Sequence, residues 1–155
     1  MSNSEVSPAA VAVVTGANSG IGRATALHLA EHGYAVYGTV RSIDRAGKLL
    51  AEAETRGLTI ELAELDIASG ESVRKGFEDI LDWAGRIDHL INNAGVGLGG
   101  PIGEVSLEDW HWCMNVNLWG VIHGCHYFAP QLRDLGYGGI INVASAAAFG
   151  SAPEM

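Results

Sequence analysis

The stretch from Val11 to Gly22, VAVVTGANSGIG, constrains this chain more than any other: a short apolar run meets three glycines and then an amphipathic segment. Val11, Ala12, Val13 and Val14 form an unbroken, β-branched-rich run, as expected of a central parallel strand covered on both faces. Gly16, Gly20 and Gly22 allow a sharp turn, close approach of the backbone to a ligand, and tight packing of the next helix on the strand. A helix from about Gly20 to Glu31 then aims its free N–H groups and positive dipole end at that turn, which suits a pyrophosphate. The spacing is G-x3-G-x-G and departs from the G-x-G-x-x-G dinucleotide fingerprint, so from the glycines alone a turn without a ligand stays open.

A chain of 155 residues with 48% hydrophobic content builds one domain with a real core. Nine Lys and Arg against eighteen Asp and Glu leave a net charge of −9, which argues against nucleic acid or anionic membrane as a partner. A phosphate site would therefore be local, built from backbone N–H groups and one or two cations. The first ten residues lack a basic region followed by an apolar stretch, and no segment has eighteen apolar residues in a row, so the expectation is a soluble, cytoplasmic protein. Cys113 and Cys125 fall in one predicted helix, separated by about 18 Å of rise, beyond disulfide reach. His111, Cys113, His123, Cys125 and His126 do not share one helix face, His111 and His123 lying about 120° apart, and no metal is expected.

In order, the first helix is expected to turn Ile21, Ala24, Leu27 and Ala30 toward the sheet and to stop at Gly33. A second strand spans 35–40. Arg41 follows it, where a dinucleotide-binding unit meets the adenosine ribose. A guanidinium there pairs with a 2′-phosphate and favours NADP(H), with NAD(H) as the second choice; a solvated arginine at a strand end is the competing reading. A second helix from about Asp44 to Thr55, with Ser42 as cap, leads to an alternating edge strand at 58–62. Asp66, at the C-terminal end of that strand, either accepts from an adenine amino group or caps a turn near Ser69. Val73, Phe77, Ile80, Leu81 and Ala84 make the strongest helical stripe. The strand at 88–92 runs into Asn92-Asn93-Ala94-Gly95. Ser106 and Asp109 resemble a capping box that opens a long helix to about Arg133, with a kink or loosened turn at Pro130.

TGANSGIG at 15–22, Asp66 and NNAG at 92–95 together resemble the short-chain dehydrogenase/reductase family, whose cofactor loop has this T-G-x3-G-x-G form. The resemblance implies a doubly wound, Rossmann-type α/β fold with a parallel sheet of five strands in the order 3-2-1-4-5, truncated relative to the family fold. It implies that Thr15, Gly16, Asn18, Ser19, Gly20, Ile21 and Gly22 form the cofactor loop. By the same resemblance Asp66 and Ile67 hold adenine, Asn93, Ala94 and Gly95 line the cofactor channel, and Arg41 is the basic NADP-selecting residue. Asn117 matches the family's helix Asn, which positions a water for proton relay; a buried structural hydrogen bond is the alternative. Ser145 matches the second Ser of the strand-end N-x-S-S pattern, with Ala144 replacing the first; a turn hydroxyl is the alternative.

Reduction of a ketone leaves an alkoxide that needs a proton donor, supplied in the family by Tyr with Lys four residues on. The residues four places after Tyr34, Tyr37, Tyr127 and Tyr137 are Gly38, Arg41, Gln131 and Ile141, so the chain has no Tyr-x-x-x-Lys. The expectation is the N-terminal portion of an oxidoreductase that moves hydride between NADP(H) and a small-molecule carbonyl or alcohol, a homo-oligomer at full length. A non-catalytic dinucleotide- or partner-binding module is the alternative. The fifth strand, 139–145, is expected to present a bare sheet edge.

Overall fold

A computed structural model describes residues 9–150 apart from residue 102; the N-terminal reading of 1–8 and the chain's last residues lie outside the described residues. Five parallel strands, β1 (Val11–Thr15), β2 (Ala35–Val40), β3 (Ile60–Glu64), β4 (His89–Asn92) and β5 (Gly139–Asn142), form one sheet in the order β3-β2-β1-β4-β5. This is the order that the family resemblance implies.

Period-2 alternation along β1 explains why both faces are covered. Val11 and Val13 enter a cluster with Phe77, Ile80 and Phe128, while Ala12 and Val14 enter another with Leu27, Leu49 and Ala53. Helices α1 (Gly20–Glu31) and α2 (Gly47–Thr55) supply the second cluster; α3 (Gly70–Ala84) and α5 (Gly120–Leu135) supply the first. The predicted stripe on α3 holds at Val73, Phe77 and Ile80, all buried, and Gly85 ends the helix in the left-handed region at φ 76°.

Four local expectations are corrected. On α1 the buried residues are Gly22, Ala26 and Leu27; Ile21 is 64% exposed and Ala24 is exposed, so the expected stripe is rotated toward Gly22 and Ala26. The helix expected from Asp44 is broken into a 3-10 turn, Ile43–Arg45, and α2, and Ser42 makes no side-chain cap bond. The long helix after Ser106 is α4 (Leu107–Met114), a π turn (Asn115–Trp119) and α5, which contains Pro130 and continues to Leu135. β5 ends at Asn142 rather than Ser145, with Ile141 58% exposed on a sheet edge that no other described strand pairs. Among the described residues no helix is long and apolar enough to cross a membrane.

Candidate functional site

Strand order reverses between β1 and β4, and beyond the C-terminal ends of these strands lies a cleft of about 540 Å³. Its floor is the turn from β1 into α1. Gly16 adopts φ 65°, and a Cβ there would stand 3.0 Å from the Cα of Ala94, so β1 and the β4 loop approach as closely as glycine permits. A Cβ on Gly22 would collide with Gly16 O and Asn93 Nδ2. Gly20, at φ 52°, faces open space on the cleft side. The first turn of α1 holds no acidic residue, and its N-cap, Ser19, makes no side-chain cap bond. The positive helix end therefore faces the cleft without an anion of its own, which fits a pyrophosphate.

Thr15 lies beneath this floor and does not line the cleft. It is 1% exposed, and its Oγ1 accepts from Asn93 N and Ala94 N, each at 2.9 Å, while donating to Ile91 O at 3.3 Å. Asn93 Nδ2 returns a bond to Thr15 O at 2.9 Å. One hydroxyl and one amide thus lock the ends of β1 and β4 together and place Asn93, Ala94 and Gly95 along the cleft wall. Asn18, Ser19, Gly20, Ile21 and Gly22 line the opposite side. The exposed Ile21 is accounted for by this position.

At the far end the cleft is lined by Arg41, Ser42, Arg45, Asp66 and Ile67. The Asp66 carboxylate accepts from Ala68 N at 3.0 Å, and its own N–H donates to Ser72 Oγ at 3.0 Å. The turn-capping reading of Asp66 is thus present, and the same carboxylate still borders the cleft. Neither Ser42 nor Arg45 is legible in the sequence as a site residue, because Ser42 reads as a helix cap and Arg45 as part of the helix that follows; the 3-10 turn Ile43–Arg45, with Ser42 just before it, brings both to the cleft.

Asn117 and Ser145 do not line the cleft. Asn117 sits in the π turn, exposed rather than buried. It pairs with the backbone of Val96 through both amide atoms: Oδ1 accepts from Val96 N at 2.8 Å and Nδ2 donates to Val96 O at 2.9 Å. Val96 does line the cleft, so Asn117 braces its wall. Ser145 caps the 3-10 turn Ala146–Ala148 by accepting from Ala147 N at 3.2 Å, the turn-hydroxyl arrangement.

A cleft floored by a glycine turn and a helix N-terminus, at the reversal point of a doubly wound sheet, defines a dinucleotide-binding fold of the Rossmann type. The family model for short chain dehydrogenases matches residues 10–155, and the chain belongs to that family. It is 37% identical over 136 residues to a 3-ketodihydrosphingosine reductase of Bacteroides thetaiotaomicron, covering 87% of this chain and 46% of the relative. It is 36% identical to a serine 3-dehydrogenase of Rhizobium radiobacter, covering 88% and 53%. The chain thus spans about half the length of these curated relatives. Among solved structures, a short-chain dehydrogenase/reductase of Burkholderia phymatum in complex with NAD superposes with a TM-score of 0.88 at 35% identity, covering 95% of this chain and 53% of that one. A metagenomic short-chain oxidoreductase in complex with NADP gives 0.86 at 33% identity, covering 93% and 66%.

Proposed function

We propose that this chain is the dinucleotide-binding region of a short-chain oxidoreductase that prefers NADP(H) and transfers hydride to or from a small carbonyl or alcohol compound. The bound nicotinamide would supply the hydride. The chain's own residues would hold it: the α1 N-terminus at the pyrophosphate, Asp66 and Ile67 beside adenine, and Asn93 to Gly95 along the inner wall. Arg41 carries the cofactor choice. It stands just after β2 and lines the cleft, at the position where an acidic residue would bind a ribose 2′-hydroxyl. Similar structures hold either NAD or NADP, so the preference rests on this guanidinium.

Calorimetry with both dinucleotides tests the assignment. NADP(H) is expected to bind more tightly, and Arg41→Ala to erase most of the difference, since a charge-assisted bond to phosphate contributes about 1.5 to 3 kcal/mol. Equal affinity of the parent chain for both would refute it.

A second expectation concerns turnover. None of Tyr34, Tyr37, Tyr127 and Tyr137 lines the cleft, and none has Lys four residues on. These 155 residues by themselves are therefore expected to bind NADPH without reducing a carbonyl. Steady NADPH oxidation by the purified chain, lost in Ser145→Ala, would show that another group donates the proton.

A further inference from the structure

α5 meets the connection between β3 and α3 at one residue of the cleft wall, Ile67. A Cβ on Gly120 would stand 2.7 Å from the Ile67 side chain, so the helix starts against it as closely as glycine permits. Three residues on, along the same helix face, His123 Nδ1 lies 3.2 Å from Ile67 O. A carbonyl oxygen only accepts, so Nδ1 carries the proton and donates. The same ring lies over the start of α3, where a Cβ on Gly70 would stand 3.2 Å from its Nε2, and beside the Trp119 ring at a centroid distance of 5.9 Å. His123 does not line the cleft, and among the described residues it belongs to no cluster of three or more possible metal ligands.

The bond to Ile67 O reaches the far end of the cleft through one peptide unit. Ile67 C=O and Ala68 N–H belong to the same planar group. His123 holds its oxygen, and its N–H donates to Asp66 Oδ1 at 3.0 Å. The start of α3 fixes the backbone of Asp66 from the other side: Asp66 N donates to Ser72 Oγ and Asp66 O accepts from Ser69 N, each at 3.0 Å. Ile67 is only 6% exposed. Its carbonyl, once deprived of the imidazole donor, finds another partner by rotation of the peptide, and that rotation takes Ala68 N off the carboxylate. Resting on the reading above that Asp66 and Ile67 hold adenine, we infer that His123 is a positioning residue for base recognition. It locks the 67–68 peptide and thereby aims the Asp66 carboxylate at the base.

The test titrates 5′-AMP, 5′-IMP and ribose 5-phosphate calorimetrically into the 155-residue chain and its variants. 5′-IMP carries an oxygen where 5′-AMP carries the amino group that Asp66 would accept from, and ribose 5-phosphate has no base. The parent is expected to prefer 5′-AMP over 5′-IMP. His123→Phe keeps a ring and drops the donor; it is expected to lower that preference roughly fivefold, the worth of about one hydrogen bond, and to leave ribose 5-phosphate unchanged. His123→Asn, whose amide N stands as many bonds from Cβ as Nδ1, is expected to recover most of the preference. His126→Phe, at an exposed position of α5 outside the cleft, is expected to behave like the parent. If Asp66→Ala removes the preference while His123→Phe leaves it intact, the role of His123 is overturned and the adenine reading stands. An equal loss in His126→Phe, or an equal loss for ribose 5-phosphate, is general damage and also overturns it. Equal binding of both nucleotides by the parent overturns the adenine reading and this inference together. The histidine-ring 15N spectrum of the parent is expected to show His123 with its proton on Nδ1. A neutral ring protonated only on Nε2 overturns the inference whatever the variants do.

Discussion

Gly22→Ala is expected to abolish dinucleotide binding and to lower the melting temperature by about 4 to 8 °C, from a stability loss of about 2 kcal/mol. The added methyl would meet Gly16 O and Asn93 Nδ2. Neither can yield cheaply: one is backbone of the cofactor turn, and the other is tied to Thr15 O at 2.9 Å. Relief requires α1 to move away from the β1 and β4 ends, which carries the helix N-terminus off the place where a pyrophosphate would sit. Two other glycine variants make the result specific. Gly20→Ala has open space for its methyl but a φ of 52°, so it costs about 1 to 2 kcal/mol of backbone strain without closing the cradle. Gly47→Ala, at the start of α2 with nothing near, is expected to stabilise by about 0.5 to 1 kcal/mol. Thermal melts followed by circular dichroism, with NADPH titrations on each variant, read all three. A Gly22→Ala chain that melts and binds like the parent would show that the close approach is not needed.

Features set by local chemistry were legible in the sequence. The apolar run of β1, the glycines that close α1 and α3, and the α3 stripe follow from propensity and periodicity. Ser106 and Asp109 meet as expected at the start of α4: Ser106 Oγ accepts from Asp109 N at 3.1 Å and donates to the Asp109 carboxylate at 2.8 Å. Features set by distant partners were not. The π turn shifts the helix ladder where Asn117 pairs with Val96, which lies 21 residues away in sequence, and no local pattern announces that partner. The break before α2 coincides with burial of Ala46 and a Glu64 carboxylate arriving from β3, both consequences of sheet pairing. Ile21 reads as a core residue by spacing, yet it lies on the cleft because the buried stripe of α1 is rotated toward Gly22 and Ala26. The family resemblance gathered the glycine loop, Arg41, Asp66 and Asn93 to Gly95 at one cleft. It also counted Thr15 with the loop that touches the cofactor, whereas the structure sets Thr15 underneath.

Thr15→Val preserves shape and removes only the hydroxyl, so at 1% exposure it leaves the amide donors of Asn93 and Ala94 without their acceptor. Each unsatisfied donor costs about 1 to 3 kcal/mol; with both only partly buried, the sum is expected near 3 kcal/mol, and the melting temperature should fall by about 6 to 12 °C. Thr15→Ser keeps the oxygen and loses one methyl, an expected cost of about 1 kcal/mol. The order of the two variants separates the structural role from direct contact with a ligand. If the hydroxyl mainly fastens the β4 loop to β1, Val destabilises far more than Ser in the absence of any dinucleotide, and added NADPH raises both melting temperatures by an amount that tracks their remaining affinity. A Val variant as stable as the parent but unable to bind NADPH would put the hydroxyl on the cofactor instead. The geometry favours the first outcome, because both lone pairs of Oγ1 are already taken by backbone N–H groups and its proton by Ile91 O, which leaves nothing on this oxygen to offer a ligand.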